Sequence, residues 1–140
     1  MLALDVNVVV EIVRDDPEHE STRSWLRDVL VSGERVGLSE AVLTGTLRVL
    51  THPRFFDPPA EPADAVAALD SVLALPGVVV LTPLPGHWEV LRTLVLEADA
   101  GGNLVADAGH AAVALQHGAT FVTRDRDFDR FPGLVCRTPG

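Results

Sequence analysis

Lysine is absent from the 140-residue sequence, and all eleven basic residues are arginine. That absence excludes chemistries built on an amine: a Walker A loop ends in GK[ST], a Schiff-base enzyme needs a lysine nucleophile, and a protein kinase needs its strand lysine. Receiver-type and haloacid-type phosphatases also place acids at strand ends, but both normally use a lysine beside the phosphoryl group. Arginine-only usage also fits a GC-rich genome, so it serves as a filter and marks no site. Cysteine is nearly missing too. The single Cys136 can form no intrachain disulfide, which suits a reducing compartment, and its apolar setting reads as a small buried hydrophobe. Positive charge is in short supply: 20 acidic residues against 11 basic give a net charge of −9, the reverse of the basic footprint usual in nucleic-acid binders. Long apolar runs are lacking as well. Stretches such as Val78–Leu81 are too short to span a bilayer, and Asp5 interrupts the opening apolar run before a signal peptide can form. The expectation is a soluble cytoplasmic protein.

Against these absences stand 47% hydrophobic residues, 22% charged residues and a mean hydropathy of +0.24, the composition of a folded chain. The length suits one domain over residues 1–140 with a core that needs no staples. Met1–Val6 reads as a buried strand, followed by a short helix through Val8–Val13. Pro17 is placed for the first turn of a second helix, in which Trp25, Leu26, Val29 and Leu30 recur at helical spacing up to Gly33. Val36–Leu38 is a strand, and Ser39 caps a helix bearing Val42, Leu43, Leu47 and Leu50 on one face. The proline-rich stretch Thr51–Pro62 is a loop; Ala63–Leu75 is helical; Val78–Leu81 is a fully buried strand. A helix follows from about His87 to Asp99. Asn103 serves as N-cap for an alanine-rich helix ending at Gly118. Ala119–Thr123 is a strand, Arg126–Phe131 a helical turn and Leu134–Arg137 a last strand. Short apolar strands alternating with helices predict a parallel α/β sheet covered on both faces.

Ligands of such sheets bind beyond the carboxyl ends of the strands, and acids collect there. Asp5 ends the first strand, Glu40 follows the second, and Asp125 and Asp127 follow the strand through Thr123. Asp107 sits in the first turn or so of the Asn103 helix. Each has a plain structural alternative as a cap or a helix-dipole partner. Asp107 fits that alternative poorly, because its surroundings are otherwise apolar and a buried acid is expensive. Acids converging at one edge repel unless they hold a cation, and hard oxygen donors without thiolate or histidine favour Mg²⁺, or Mn²⁺, over zinc. The histidines make no rival metal site: HExxH, C-x-x-C and GxSxG are all missing. His110 lies three residues after Asp107 and shares its helix face, with packing or solvent exposure as its plain reading.

Leu4-Asp5-Val6-Asn7, Ser39-Glu40, Gly102-Asn103-Leu104-Val105-Ala106-Asp107-Ala108 and Thr123-Arg124-Asp125-Arg126-Asp127-Phe128 occur in the order found in PIN domains. Thr51-His52-Pro53-Arg54 and Phe131-Pro132-Gly133-Leu134 further resemble actinobacterial VapC toxins. No one of these motifs is specific alone, but the ordered set spans nearly the whole chain. The resemblance implies a three-layer α/β/α sandwich with a parallel sheet of about five strands. It also implies a Mg²⁺-dependent endoribonuclease, the toxin of a type II toxin–antitoxin pair, that cuts structured RNA such as tRNA or rRNA and is neutralised by a cognate VapB-type antitoxin. A homodimer within a toxin–antitoxin hetero-oligomer, with no membrane association, is implied as well.

Carried over residue by residue, Asp5, Glu40, Asp107 and Asp125 are the catalytic and metal-binding acids, with Asp127 a fifth carboxylate that replaces or assists Asp125. Asn7 and Thr123 match positions that orient the acids. His110 departs from the pattern, where an aliphatic residue is more usual. Arg48, His52 and Arg54 around the proline-rich loop, with Arg124 and Arg126, are candidates for gripping phosphates; a solvated loop surface and local ion pairs are the alternatives. Two other readings stay open: a PIN module that binds RNA or protein without cutting, and another metal-dependent phosphodiesterase, phosphatase or DNA nuclease. From Thr120 to Gly140 four arginines face three aspartates, so the acidity is not uniform, and part of it belongs to the proposed cation site.

Overall fold

A computed structural model describes residues 1–140. It contains five strands, β1 (Leu2–Leu4), β2 (Val36–Ser39), β3 (Val78–Leu81), β4 (Thr120–Val122) and β5 (Cys136–Arg137). Six helices connect them: α1 (Val6–Val13), α2 (Glu20–Val31), α3 (Glu40–Leu50), α4 (Pro62–Leu73), α5 (His87–Glu97) and α6 (Asn103–Gln116). Every strand pair is parallel and the order is β3-β2-β1-β4-β5. The chain therefore builds outward from β1 to β3, then crosses back to lay β4 on the other side of β1. That reversal creates a crevice at the carboxyl ends of β1 and β4.

Strand side chains alternate between two cores. Leu2, Leu4, Val36, Leu38 and Val122 face the layer formed mainly by α1 to α4. Ala3, Phe121 and Leu81 face α5, α6 and the aromatic pair Phe128 and Phe131. The three-layer expectation is met, with both faces covered. No helix is long and apolar enough to cross a membrane.

Capping residues set the helix starts that matter for the site. Asp5 ends β1 and caps α1, and Ser39 ends β2 and caps α3 through a bond from the Val42 amide at 3.1 Å. Gly118 ends α6 with φ 62°, as its position after the alanine-rich run predicts. Four readings need correction. Gly102, not Asn103, caps α6: its φ of 58° makes the turn, and Asn103 is the first helical residue. Asp107 consequently falls one turn inside the helix. Pro17 opens a 3-10 turn, Pro17–His19, and α2 starts only at Glu20. Val80 is 45% exposed because β3 is a sheet edge, and β5 shrinks to two residues at the opposite edge.

Gly37 shows how tightly the second layer closes. A Cβ there would lie 2.6 Å from Leu81 Cγ on the neighbouring strand, and the branch point cannot swing away as a side-chain tip could. Gly37→Ala should destabilise the fold by about 1–3 kcal/mol through overpacking, read as a lower urea midpoint at unchanged slope.

Candidate active site

Asp5 is 5% exposed at the carboxyl end of the central strand. A buried carboxylate must be hydrogen-bonded, and the chain supplies three donors. The Val6 amide reaches Oδ1 at 2.7 Å, the Thr123 hydroxyl reaches Oδ2 at 2.6 Å, and the Asn7 amide reaches Oδ2 at 2.9 Å. Asn7 also donates weakly to Thr123 at 3.4 Å and accepts from the Arg124 amide at 3.3 Å. Thr123 in turn accepts from the Asp125 amide at 3.0 Å, and Asp125 caps the following turn by accepting from the Asp127 amide at 2.8 Å. One connected network thus fixes Asp5 and Asp125 relative to each other. Burial pushes the Asp5 carboxyl above its ordinary range; the bonds from Thr123 and Val6 and the proximity of His110 oppose that rise, and Asp125 adds to it.

Asp107 enters the same cleft from α6 and is built differently. It is half-buried, and no hydrogen bond or ion pair compensates it. Burial, followed by repulsion from Asp5, Asp125 and Asp127, raises its pKa to about 6, with Arg130 pulling weakly the other way. An uncompensated acid of this kind marks a functional position more often than a structural one.

Asp5, Asp107 and Asp125, together with Asn7 and His110, line a cleft of about 1010 Å³. Arg48 from α3 and Phe55 from the proline-rich loop also line it. Glu40 is not among the lining residues. It is exposed at the first position of α3, two residues from the capping hydroxyl's partner Val42, while Ala41, Thr44 and Gly45 of that helix face the cleft. Asp127 is exposed and lies 3.7 Å from Arg130. The acids that meet inside the cleft are therefore three, with Glu40 and Asp127 outside its lining.

The donor set fits a hard divalent cation: oxygen ligands only, and carboxylates that repel each other when no cation lies between them. The acids of the cleft are not drawn together in advance. The one group of three ligand atoms within 4.8 Å of one another is Asp16, Glu18 and His19, neighbours in the 3-10 turn before α2 that take no part in the cleft.

The arginines separate into used and unused. Arg124 donates to both Glu11 oxygens at 2.6 and 3.0 Å and to Thr22 at 3.0 Å, which ties the segment after β4 to α1 and α2. Burial alone would raise the Glu11 carboxyl; the bonds from Arg124 and Thr22 outweigh it and hold Glu11 below its ordinary range. Arg124 thereby serves the scaffold through Glu11 and Thr22. His52 likewise turns inward to its own loop, accepting from the Arg54 amide at 3.0 Å and meeting the Phe55 ring edge-on at 5.5 Å. Arg48 lines the cleft, and Arg126 lines a neighbouring polar pocket beyond β4 and β5. Phe55 in the cleft wall was not legible from sequence, because nothing in a proline-rich loop says which way it folds back.

The PIN domain family model matches residues 2–134 of the chain. The chain is 43% identical over 140 residues to ribonuclease VapC43 of Mycobacterium tuberculosis, covering 99% of this chain and 95% of that protein. It is 38% identical over 135 residues to ribonuclease VapC25 of the same species, covering 96% and 95%. Among solved structures it resembles VapBC2 from Rickettsia felis bound to a promoter DNA fragment, with a TM-score of 0.76 at 20% identity over 98% of this chain and 97% of that one. It also resembles Mycobacterium tuberculosis VapC20, a sarcin-ricin loop cleaving toxin, with a TM-score of 0.64 at 22% identity over 96% and 97%.

Removing the unpaired charge should expose its cost. The raised pKa of Asp107 means that the folded metal-free protein binds its proton more tightly than the unfolded chain. Its stability is then fully present below the ordinary value of 3.8 and declines as pH rises through about 6. Asp107→Asn should cancel that decline, leaving the variant more stable near neutral pH by ~1 kcal/mol once solvent screening of a part-exposed group is allowed for. Urea unfolding in EDTA checks it: the two proteins should converge at acid pH and separate on the alkaline side of the window.

Proposed function

The chain belongs to the PIN-domain family, and from that premise we propose that it is a metal-dependent endoribonuclease of the VapC kind, the toxin of a toxin–antitoxin pair. The observation that carries the reading is the convergence of Asp5, Asp107 and Asp125 in one cleft where the parallel sheet reverses its order. The full-length VapC relatives support the ribonuclease activity. The substrate class we assign is structured RNA such as a tRNA or an rRNA loop, whose recognition rests on shape and unstacked bases.

Asp5 and Asp107 would hold the cation most directly, with Asp125, Glu40 and Asp127 completing the coordination or binding its waters. Mg²⁺, or Mn²⁺ in its place, supplies charge stabilisation at the phosphate and a more acidic water. The chain does the rest. Thr123, Asn7 and the Val6 amide take up three acceptor positions on Asp5 and so aim its remaining lone pair into the cleft. The unpaired Asp107 carboxylate releases its repulsion when a cation arrives, which couples metal binding to stability. Arg48, lining the same cleft, offers the positive charge that an RNA phosphate needs next to acids. Without a cation the same cleft repels RNA.

VapBC assemblies among the structural neighbours support an antitoxin as partner; a homodimer inside a larger hetero-oligomer is the assembly we assign on the family resemblance. A tail of the antitoxin that places an arginine among the carboxylates would occupy the cation's position and block cleavage. Trp88 and Leu96 on α5, 65% and 67% exposed, leave apolar surface for protein contacts.

Incubation with tRNA, rRNA and single-stranded DNA, with Mg²⁺ and with EDTA, tests the activity: RNA should be cut only with the metal, and DNA left intact. Asp5→Asn should abolish cleavage while the chain stays folded by circular dichroism. Thr123→Val, which leaves the acid in place but frees it to turn, should cost about 10- to 100-fold in rate. Wild-type cleavage by Asp5→Asn would end the metal-site assignment. Toxicity on expression should be relieved by the antitoxin and return when the antitoxin's C-terminal tail is deleted; inhibition that survives the deletion would refute tail blocking.

A further inference from the structure

His110 lines the cleft and takes no part in holding the acids. It follows Asp107 by three residues, so both project from one face of α6, and its ring lines the cleft beside Asp5, Asp107 and Asp125. Its Nδ1 is sealed from solvent and has no hydrogen-bond partner, whereas Nε2 is not sealed. A buried N–H without an acceptor is rarer and costlier than an acceptor left idle. The ring proton therefore belongs on Nε2, at the open cleft, and Nδ1 keeps a bare lone pair. A second proton on Nδ1 would bury an N–H with no acceptor, so the geometry keeps the ring uncharged; burial also pushes the His110 pKa down, with the charge of Asp5 opposing that only in part.

Three roles compete for this geometry. Metal ligation would put a nitrogen donor into a set of carboxylates that suits a hard cation preferring oxygen. A purely structural role fits badly, because an aliphatic side chain would fill the same space without an idle buried nitrogen. The remaining role is donation into the cleft. Both other polar side chains around Asp5 have spent their donors: Asn7 on Asp5 and Thr123, and Thr123 on Asp5. The carboxylates only accept. An uncharged N–H is also the one kind of donor that neither repels a divalent cation nor pairs off an acid the cation needs.

We propose that His110 is a catalytic residue whose Nε2–H donates a hydrogen bond to a non-bridging oxygen of the scissile phosphodiester. The inference rests on the ribonuclease reading of the cleft and names a substrate contact that the acids cannot make. His110 thereby complements Arg48 in the same cleft: one side chain gives a point charge, the other a directed donor.

His110→Leu and His110→Gln, assayed with RNA and Mg²⁺, test it. Leucine should lower kcat about 10- to 100-fold with the Mg²⁺ dependence unchanged and the Tm equal to or above wild type. Glutamine, whose amide can reach where Nε2 lies, should restore most of that loss. Wild-type kcat in His110→Leu overturns the proposal, and so does a loss that follows a lowered Tm and is not rescued by glutamine. A second readout is independent of turnover. Imidazole ¹⁵N spectra of the wild-type protein at neutral pH should show the Nε2–H tautomer of His110, with the Nε2 signal moving when a short non-cleavable RNA analogue and Mg²⁺ are added. An Nδ1–H tautomer, or a signal indifferent to RNA, refutes the assignment. A wild-type protein inert toward every RNA strikes instead at the ribonuclease reading, and the spectra still decide whether His110 meets phosphate.

Discussion

The hydrogen bond from Thr123 to Asp5, 2.6 Å long, joins the ends of two strands that are 118 residues apart in the chain and adjacent in the sheet. Most of the site depends on it. A carboxylate buried at the end of β1 is tolerable only with its oxygens satisfied, and the donors come from α1 and from the segment after β4. The constraint therefore reaches in both directions. It holds the start of α1 against β4, and through the Asp125 amide it holds the turn that carries Asp125 and Asp127. Arg124 completes the clasp from the other side by locking that segment to Glu11 and Thr22. Packing of the two cores places the strands; this polar network sets the angle at which acids leave them.

The net charge of −9 looks different once its distribution is known. In the cleft, acidity is a stored cost: Asp107 is pushed up to about 6 because burial and three like charges act on it with only Arg130 weakly opposing them. A fold selected for stability alone would replace it. Keeping an unpaired acid one turn inside an alanine-rich helix makes sense when a cation repays the cost on binding. The metal then supplies the positive charge that an acidic protein lacks toward RNA, and the scarcity of basic residues ceases to argue against a nucleic-acid substrate. The arginine count also misleads in the opposite sense, since Arg124 spends its charge on Glu11.

Element order and strand direction were readable in advance because short apolar runs between capped helices admit few arrangements. Ser39, Gly118 and the turn after Asp125 behave as their residue types predict. The misses share one cause. Asn103 is a good cap by type, yet Gly102 takes the position because the turn needs a positive φ that a β-carbon resists. Val80 has the side chain of a central strand and sits at an edge, since alternation cannot say which strands are outermost. Among the site residues, Asp5, Asn7, Thr123 and Asp107 were legible from spacing and resemblance. The commitment of Arg124 to Glu11 was not, because it joins positions 113 residues apart and no local pattern reports such a contact.

The acids themselves fall into two kinds, and the division has a physical reason. Asp5 and Asp125 are fixed by hydrogen bonds, whereas Glu40 stands exposed at the first position of α3 with no hydrogen bond or ion pair holding its carboxylate. Had all four been clamped together, their mutual repulsion would fall on the folded state whenever the metal was absent. With some acids fixed and others outside the cleft, the penalty of burial falls on Asp5 and Asp107, and of these only Asp107 has no hydrogen bond to offset it. Glu40, at the end of the strand next to β1, stands outside the cleft that the fixed acids line. His110 fits the same economy of charge, adding a donor to the cleft without adding a cation that the acids would capture. The site is thus assembled so that its last positive charge must come from outside the chain.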